Sequence, residues 1–393
     1  MTPLLRKILG MNWLLVLTML GLCIFGVYAI ESAARHLPNG GGYYAERQKI
    51  WIIGGCVVFF ITALVDYRWI RWLGIPMYLV GLALMIVAML KGSEVHQLTF
   101  GGLSFQPTQL GIAGGIVLMG SLLQDLPRLN PFFKLPFVKV GIIAILAGIP
   151  FLVVVKMGDM GSALVWLPVT AVIMFAAGVP YRYLLTMAIV ALGCLALAYY
   201  IVLPKESPRG ASRIELYLAM LHNREVDING DAYAPYWVST AIGKAGWKGL
   251  GWNATSEQGS LHDKKYIPWK TAHNDFIFAV IGEEQGFRGS LLLLTGYALL
   301  LIQCLFIAFY SRDNSGRIIA GAVVALLFAH IYENIGMCVL MTPITGIPLP
   351  LVSYSGTFVL MCMFLLGLVQ SVWVHRNVET ITEEEDKPER RFL

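Results

Sequence analysis

The run WLLVLTMLGLCIFGVYAI, Trp13 to Ile30, decides the fold class, because its eighteen residues hold no Asp, Glu, Lys, Arg or His. At 1.5 Å of rise per residue such a helix covers about 27 Å, close to the roughly 30 Å hydrocarbon thickness of a bilayer. Nine further apolar runs follow, near Ile50 to Val65, Trp72 to Leu90, Leu110 to Leu123, Val138 to Val155, Ala163 to Gly178, Tyr183 to Leu203, Gly289 to Phe309, Arg317 to Leu340 and Thr357 to Val374. Charged residues or Gly/Pro clusters separate them, and the fourth and sixth are short. Composition agrees: 57% of the 393 residues are hydrophobic and 13% charged, against about 25% charged in soluble domains. With a mean hydropathy of +0.68, the apolar surplus exceeds what one buried core can hide. The expected fold class is an all-α polytopic membrane protein of about ten transmembrane helices with one large extracytoplasmic loop. The first run is long and continues into a multi-span pattern, so it reads as an uncleaved helix rather than a cleaved signal.

Lys and Arg sort unequally between the two sets of helix ends. One set carries eleven, Arg6, Lys7, Arg68, Arg71, Arg128, Lys134, Lys139, Arg182, Arg312, Arg317 and Arg376, whereas short loops on the other carry five, Arg35, Arg47, Lys49, Lys91 and Lys156. By the positive-inside bias both termini are expected in the cytoplasm. The domain expectation is one transmembrane unit over 1–376, with the large loop at 204–287, then a solvated tail over 377–393 that receives no chemistry. A net charge of +5 without a basic stripe makes nucleic acid a poor partner. The six cysteines sit in apolar runs without CxxC or Cys/His spacing, which argues against a disulfide framework or a zinc site.

The connection from Pro204 to Phe287 concentrates polar residues and aromatics such as Tyr217, Tyr233, Trp237, Trp247 and Tyr266, a mixture that favours an ordered loop at the membrane interface. Its Arg213 to Leu221 segment reads as an amphipathic helix. It ends in His273, Asn274 and Asp275 before an apolar helical run. From residue type alone, a short polar side chain capping a helix at Phe276 is the favoured account of Asn274 and Asp275. Asp275 and Glu283, eight residues apart, are separated by about 12 Å along a helix and form no carboxylate dyad. A second cluster, PITGIPLPLVSYSGT over Pro343 to Thr357, holds three prolines and two glycines and no charge. It is expected to be a rigid non-helical insertion, tolerated at membrane depth only where protein buries it or it lines a wet cavity. Pro107 in FQPTQ suits a helix start. Arg47, Lys91, Lys156, Asp159, Arg213 and Glu333 are ionisable residues at or within spans. Singly, the cations read as snorkelling anchors; jointly they offer a cationic rim for a phosphate-bearing lipid head group.

These segments resemble the SEDS family (shape, elongation, division and sporulation), in particular its RodA-like rod-shape branch, over nearly the whole chain. HNDFIFAVIGEEQG and PITGIPLPLVSYSGT are the most specific, with RQKIW at Arg47, KGS at Lys91, FQPTQ at Phe105 and GDMGS around Asp159 as weaker matches. The resemblance implies a membrane-embedded peptidoglycan glycosyltransferase that polymerises lipid II, an undecaprenyl diphosphate-linked disaccharide peptide, beside a class B penicillin-binding protein. It implies Asp275 as catalytic base and places Arg47, Lys91, Asp159, Arg213, His273, Ser353 and Tyr354 in substrate binding. It leaves the metal undetermined, with a divalent cation, Mg or Mn, as the cofactor to consider. The chain departs from the family pattern at Val95, Gln109, Ile112, Trp237, Val238, Ser355 and Thr357; Gln109 and Ile112 remove a carboxylate and a cation at the start of the fourth span. Two other classes fit parts of the same pattern: a lipid II flippase, which needs no base at Asp275, and a non-catalytic scaffold activating its penicillin-binding partner.

Overall fold

The computed structural model describes residues 2–91, 98–100, 103–197, 208–222 and 224–376. A short helix α1 (Pro3–Leu9) leads into α2 (Trp13–Ala33) and α3 (Gly40–Leu64). One turn, α4 (Tyr67–Ile70), continues through a 3-10 turn into α5 (Gly74–Leu90). Then come α6 (Pro107–Leu129), α7 (Pro136–Lys156), α8 (Met160–Ala176) and α9 (Tyr181–Leu197). Two connection helices, α10 (Pro208–Leu221) and α11 (Tyr233–Lys244), precede α12 (Ile277–Phe309), α13 (Asn314–Cys338) and α14 (Gly356–Val374). Among the described residues eight helices are long and apolar enough to cross a membrane, and α8 and α9 are shorter apolar helices. Each of the ten expected runs meets one of these, the end of the seventh, 198–203, lying outside the described residues.

Three differences have physical causes. The all-α expectation needs one addition, an antiparallel hairpin of β1 (Leu98–Phe100) and β2 (Leu103–Phe105), with Leu98 opposite Phe105. The fourth span is longer than its apolar run, because α6 starts at Pro107 and its polar first turn, Thr108 and Gln109, is buried in protein rather than exposed to lipid. The eighth helix begins at Ile277, not Gly289, which leaves the long connection ending before it. Val95 and the tail 377–393 lie outside the described residues.

Short links make successive spans antiparallel, so the C-terminal ends of α2, α5, α7 and α13 share one end of the bundle with the N-terminal ends of α3, α6, α8, α12 and α14. At the opposite end, cations meet helix C-termini, where free carbonyls carry partial negative charge. Lys139 Nζ donates to the Ala177 carbonyl at 2.8 Å and Lys7 Nζ to that of Leu64 at 3.1 Å. Helices α5 and α6 touch through small residues: a Cβ on Gly81 would lie 2.6 Å from the Gly111 backbone. In lipid, where apolar side chains gain little by leaving their solvent, such close backbone contact supplies the packing energy. The most enclosed span is α13, whose buried face holds Ile319, Val323, Leu326 and His330.

Gly286 divides α12, with φ 65° and ψ −161° between a short outer piece and the main span. The outer piece anchors the long connection. Glu283, buried, accepts hydrogen bonds from Ser260 Oγ at 3.0 Å and from the His262 amide at 3.1 Å, while Glu284 accepts from Ser32 Oγ at 2.5 Å and lies 3.8 Å from Arg35. Main-chain bonds from Leu250 to the Glu283 carbonyl and from Phe287 to that of Gly246 complete the clamp. A Cβ on Gly286 would stand 2.3 Å from the Gly249 amide, and its backbone conformation disfavours L side chains. Gly286→Ala is therefore expected to cost at least about 2 kcal/mol, the left-handed penalty plus the displaced clamp, read as a lower midpoint of thermal unfolding in detergent.

Candidate active site

The site assembles where three connections meet. The first is the turn from Thr271 to Phe276, where the amides of Asn274, Asp275 and Phe276 all donate to the Thr271 carbonyl at 3.1, 3.0 and 3.3 Å. The second is the irregular backbone between α13 and α14, as expected for a stretch with three prolines, and it folds against that turn. The Tyr354 amide donates to the His273 carbonyl at 2.9 Å, and Ser353 Oγ donates to that of Asn274 at 2.5 Å while accepting from the Leu349 amide at 2.8 Å. The third is the start of α8, where Asp159 is the N-cap: one carboxylate oxygen accepts from the Ser162 amide at 3.1 Å and the other from Gln106 Nε2 at 3.1 Å.

The capping account of Asn274 and Asp275 is overturned. Phe276 is the N-cap of α12, and no side chain makes a cap hydrogen bond there. The turn spends its polar backbone on Thr271 and on the facing connection, which leaves the Asp275 carboxyl to line two cavities. One, of about 350 Å³, is walled by Gln106, Asp159, Arg213, Asn274, Tyr354 and Ser355; the other, of about 500 Å³, runs beneath α10 and α11 past Leu216, Tyr217, Tyr233 and Pro235. Arg213, Thr271, Asp275 and Gly346 line both. Burial pushes the Asp275 carboxyl up to about 6, with the Asp159 charge adding to the rise and Arg213 opposing it.

Arg213 is held over the site by its own helix. Its guanidinium donates to the Ile344 carbonyl at 3.4 Å, and Tyr217, one turn later, donates to that of Met341 at 2.9 Å. The amphipathic helix expected at Arg213 to Leu221 is thus α10, seated on the connection after α13. His273 is buried, and desolvation lowers it to about 4, so it is a neutral wall rather than a cation. Its ring packs at a tilt against Tyr44 at 5.1 Å and Tyr354 at 5.4 Å between ring centroids. Ser353 is buried with its hydroxyl engaged at both ends, which makes it a staple between connections. Arg47 is exposed, bonded to the Tyr43 hydroxyl at 2.9 Å, and its charge reaches Tyr354. Lys91 is the exposed C-cap of α5 and lines neither cavity.

Three residues absent from the expected site belong to it. Gln106 fixes Asp159 and lines the smaller cavity, with its place just before Pro107 in FQPTQ as the available signal. Thr345 lines the same cavity. Asn334, a buried amide in the last turns of the apolar helix α13, donates to the Asp275 carbonyl at 2.8 Å; a polar side chain in a span is costly unless partnered, and that cost was its signal. Where the resemblance expects a carboxylate and a cation at the start of α6, Gln109 and Ile112 are buried, and Gln109 Nε2 has no hydrogen-bond partner among the described residues. Among the described residues no three His, Cys, Asp or Glu side chains form a metal-holding group.

A family model described as cell cycle protein, FtsW/RodA/SpoVE, matches residues 9–378. The chain is 29% identical over 371 residues to the peptidoglycan glycosyltransferase MrdB of Escherichia coli K12, covering 93% of this chain and 94% of that one. It is 27% identical over 387 residues to a probable peptidoglycan glycosyltransferase FtsW of Trichlorobacter lovleyi, covering 95% and 96%. Its fold matches a chain from a structure described as "Structural coordination of polymerization and crosslinking by a peptidoglycan synthase complex", with TM-score 0.74, 24% identity and 94% and 99% coverage. It also matches the rod shape determining protein RodA of Thermus thermophilus, with TM-score 0.66, 24% identity and 93% and 98% coverage.

Proposed function

Because the chain belongs to the FtsW/RodA/SpoVE family of cell cycle proteins, we propose that it is a multi-pass membrane peptidoglycan glycosyltransferase that polymerises lipid II, with Asp275 as the base. The observation that carries this is the shared wall of the two cavities: a carboxyl raised to about 6 and an arginine stand together where two substrates can meet. Transfer requires the 4-hydroxyl of one sugar to attack the anomeric carbon of another while undecaprenyl diphosphate leaves. Asp275 takes the hydroxyl proton as the new glycosidic bond forms, and Arg213 stabilises the negative charge that collects on the departing diphosphate. A carboxyl near 6 is mostly ionised at neutral pH yet far more basic than an ordinary aspartate. The donor's activation already resides in its diphosphate ester, so no nucleotide is needed.

The remaining groups hold geometry. Gln106 restrains Asp159, and the tilted rings of Tyr44, His273 and Tyr354 brace the turn that carries Asp275. Arg47 and Lys91 are proposed to meet head-group phosphates at the rim. Among the described residues no side-chain group is arranged to hold a divalent cation, so a Mg or Mn ion that takes part would enter with the diphosphate of the substrate and would supply charge neutralisation there. The proposed setting is the bacterial inner membrane, with both termini cytoplasmic, residues 1–376 as a single unit and the 204–287 connection at the outer face. A class B penicillin-binding protein is the proposed partner and wall elongation the proposed role.

The test is purified protein incubated with lipid II in detergent, alone and with a class B penicillin-binding protein. Glycan polymer is the expected product. If labelled lipid II crosses the bilayer of reconstituted vesicles and no polymer forms under any condition, the chain is a transporter and the enzyme reading fails.

A further inference from the structure

Three successive carbonyls of the turn that carries Asp275 are each held from outside it. His273 accepts from the Tyr354 amide and Asn274 from Ser353 Oγ, both in the connection between α13 and α14; Asp275 accepts from Asn334 Nδ2 at 2.8 Å, within α13 itself. The same Asn334 nitrogen donates its other hydrogen to the Ile347 carbonyl at 2.7 Å. Asn334 has no exposed surface. An amide nitrogen has two hydrogens, and both are spent on main-chain oxygens of the two segments that form the floor of the site.

Resting on the glycosyltransferase reading, we infer that Asn334 is a positioning residue for Asp275, one amide group fixing the distance between the Asp275 peptide and the Ile347 backbone so that the carboxylate faces the shared cavity wall. The two segments adjoin at the carboxylate: Gly346, next to Ile347, has φ 74°, and a Cβ there would lie in ordinary van der Waals contact with it, at 3.5 Å. The charged and titratable groups around that carboxylate come from every neighbouring element. They are Arg213 on α10, Asp159 at the start of α8, Cys338 at the end of α13, His273 in the same turn, Tyr354 before α14 and Asp231 across the larger cavity. Desolvation dominates the Asp275 shift. An unpinned turn lets the carboxyl move toward water, where it titrates lower and spends less time aligned with the hydroxyl it must deprotonate.

Asn334→Leu removes both donors at similar volume without adding a charge beside Asp275, and Ser353→Ala removes the donor to Asn274 without touching α13. Lipid II polymerisation is measured against pH for both, beside wild type and Asp275→Asn, with thermal unfolding as the control for folding. The expected result is a kcat at least about ten-fold lower for Asn334→Leu, KM within about two-fold, and an acid limb moved to lower pH, with the same direction and a smaller size for Ser353→Ala. A loss confined to KM, or an acid limb that stays in place in a folded variant, overturns the assignment. If Asn334→Leu does not fold, the pH limb of Ser353→Ala decides. Activity retained by Asp275→Asn refutes the base reading itself, a result separate from any behaviour of Asn334.

Discussion

Asp275→Asn is expected to lower the polymerisation rate by roughly 10²- to 10⁴-fold, the range that a positioned general base contributes. The replacement keeps the shape and removes only the ability to accept a proton at neutral pH. Its backbone anchors are untouched, since Tyr354, Ser353 and Asn334 bind main-chain oxygens of the turn rather than the carboxyl. Removing a partly buried charge also relieves a desolvation cost, so the variant should unfold no earlier than wild type. In wild type the active form is the ionised carboxylate, so the rate should fall as pH drops through about 6, the position to which burial raises this group. A flippase would show neither effect, and a scaffold would tolerate the substitution in cells.

Arg213→Met should reduce the rate by about 10²-fold, in line with loss of one preorganised charge facing a developing anion. Methionine keeps much of the apolar stem against α10's neighbours, and Tyr217 still ties the helix to the Met341 carbonyl. Its pH signature is distinctive. Arg213 holds the Asp275 carboxyl down against burial, so removing it should move the acid limb to higher pH, opposite to the shift expected on loosening Asn334. Arg213→Lys, which restores a charge but not the planar fork, should recover part of the rate. The same limb read in both variants separates loss of a charge from loss of a position.

The spans were legible because a bilayer imposes a length and a polarity that composition reveals, and all ten runs correspond to helices. The hairpin at Leu98–Phe105 was masked by that same reading, although two glycines between short apolar-alternating stretches are a two-residue turn signal. Asp275 was legible as a candidate only through the resemblance; residue type favoured a cap, and the cap failed because the turn's carbonyls are drawn to residues 79 positions away at Ser353. Such a long-range choice leaves no local trace. The same applies to Ser353, whose hydroxyl looks available in sequence and is consumed on both sides in the fold. Glu283 and Glu284 read as part of the catalytic motif, yet they tie the long connection to α2 and α12. Motif neighbours can therefore serve opposite ends: one acid faces the cavity and two hold the wall that shapes it.

A structure of the protein with a non-hydrolysable undecaprenyl diphosphate-linked sugar tests the central claim most directly. The diphosphate should lie against Arg213, with the sugar hydroxyl or anomeric carbon within reach of the Asp275 carboxylate between the two cavities. Diphosphate bound at a distant surface, with the Arg213 and Asp275 cavities empty of glycolipid, would contradict it.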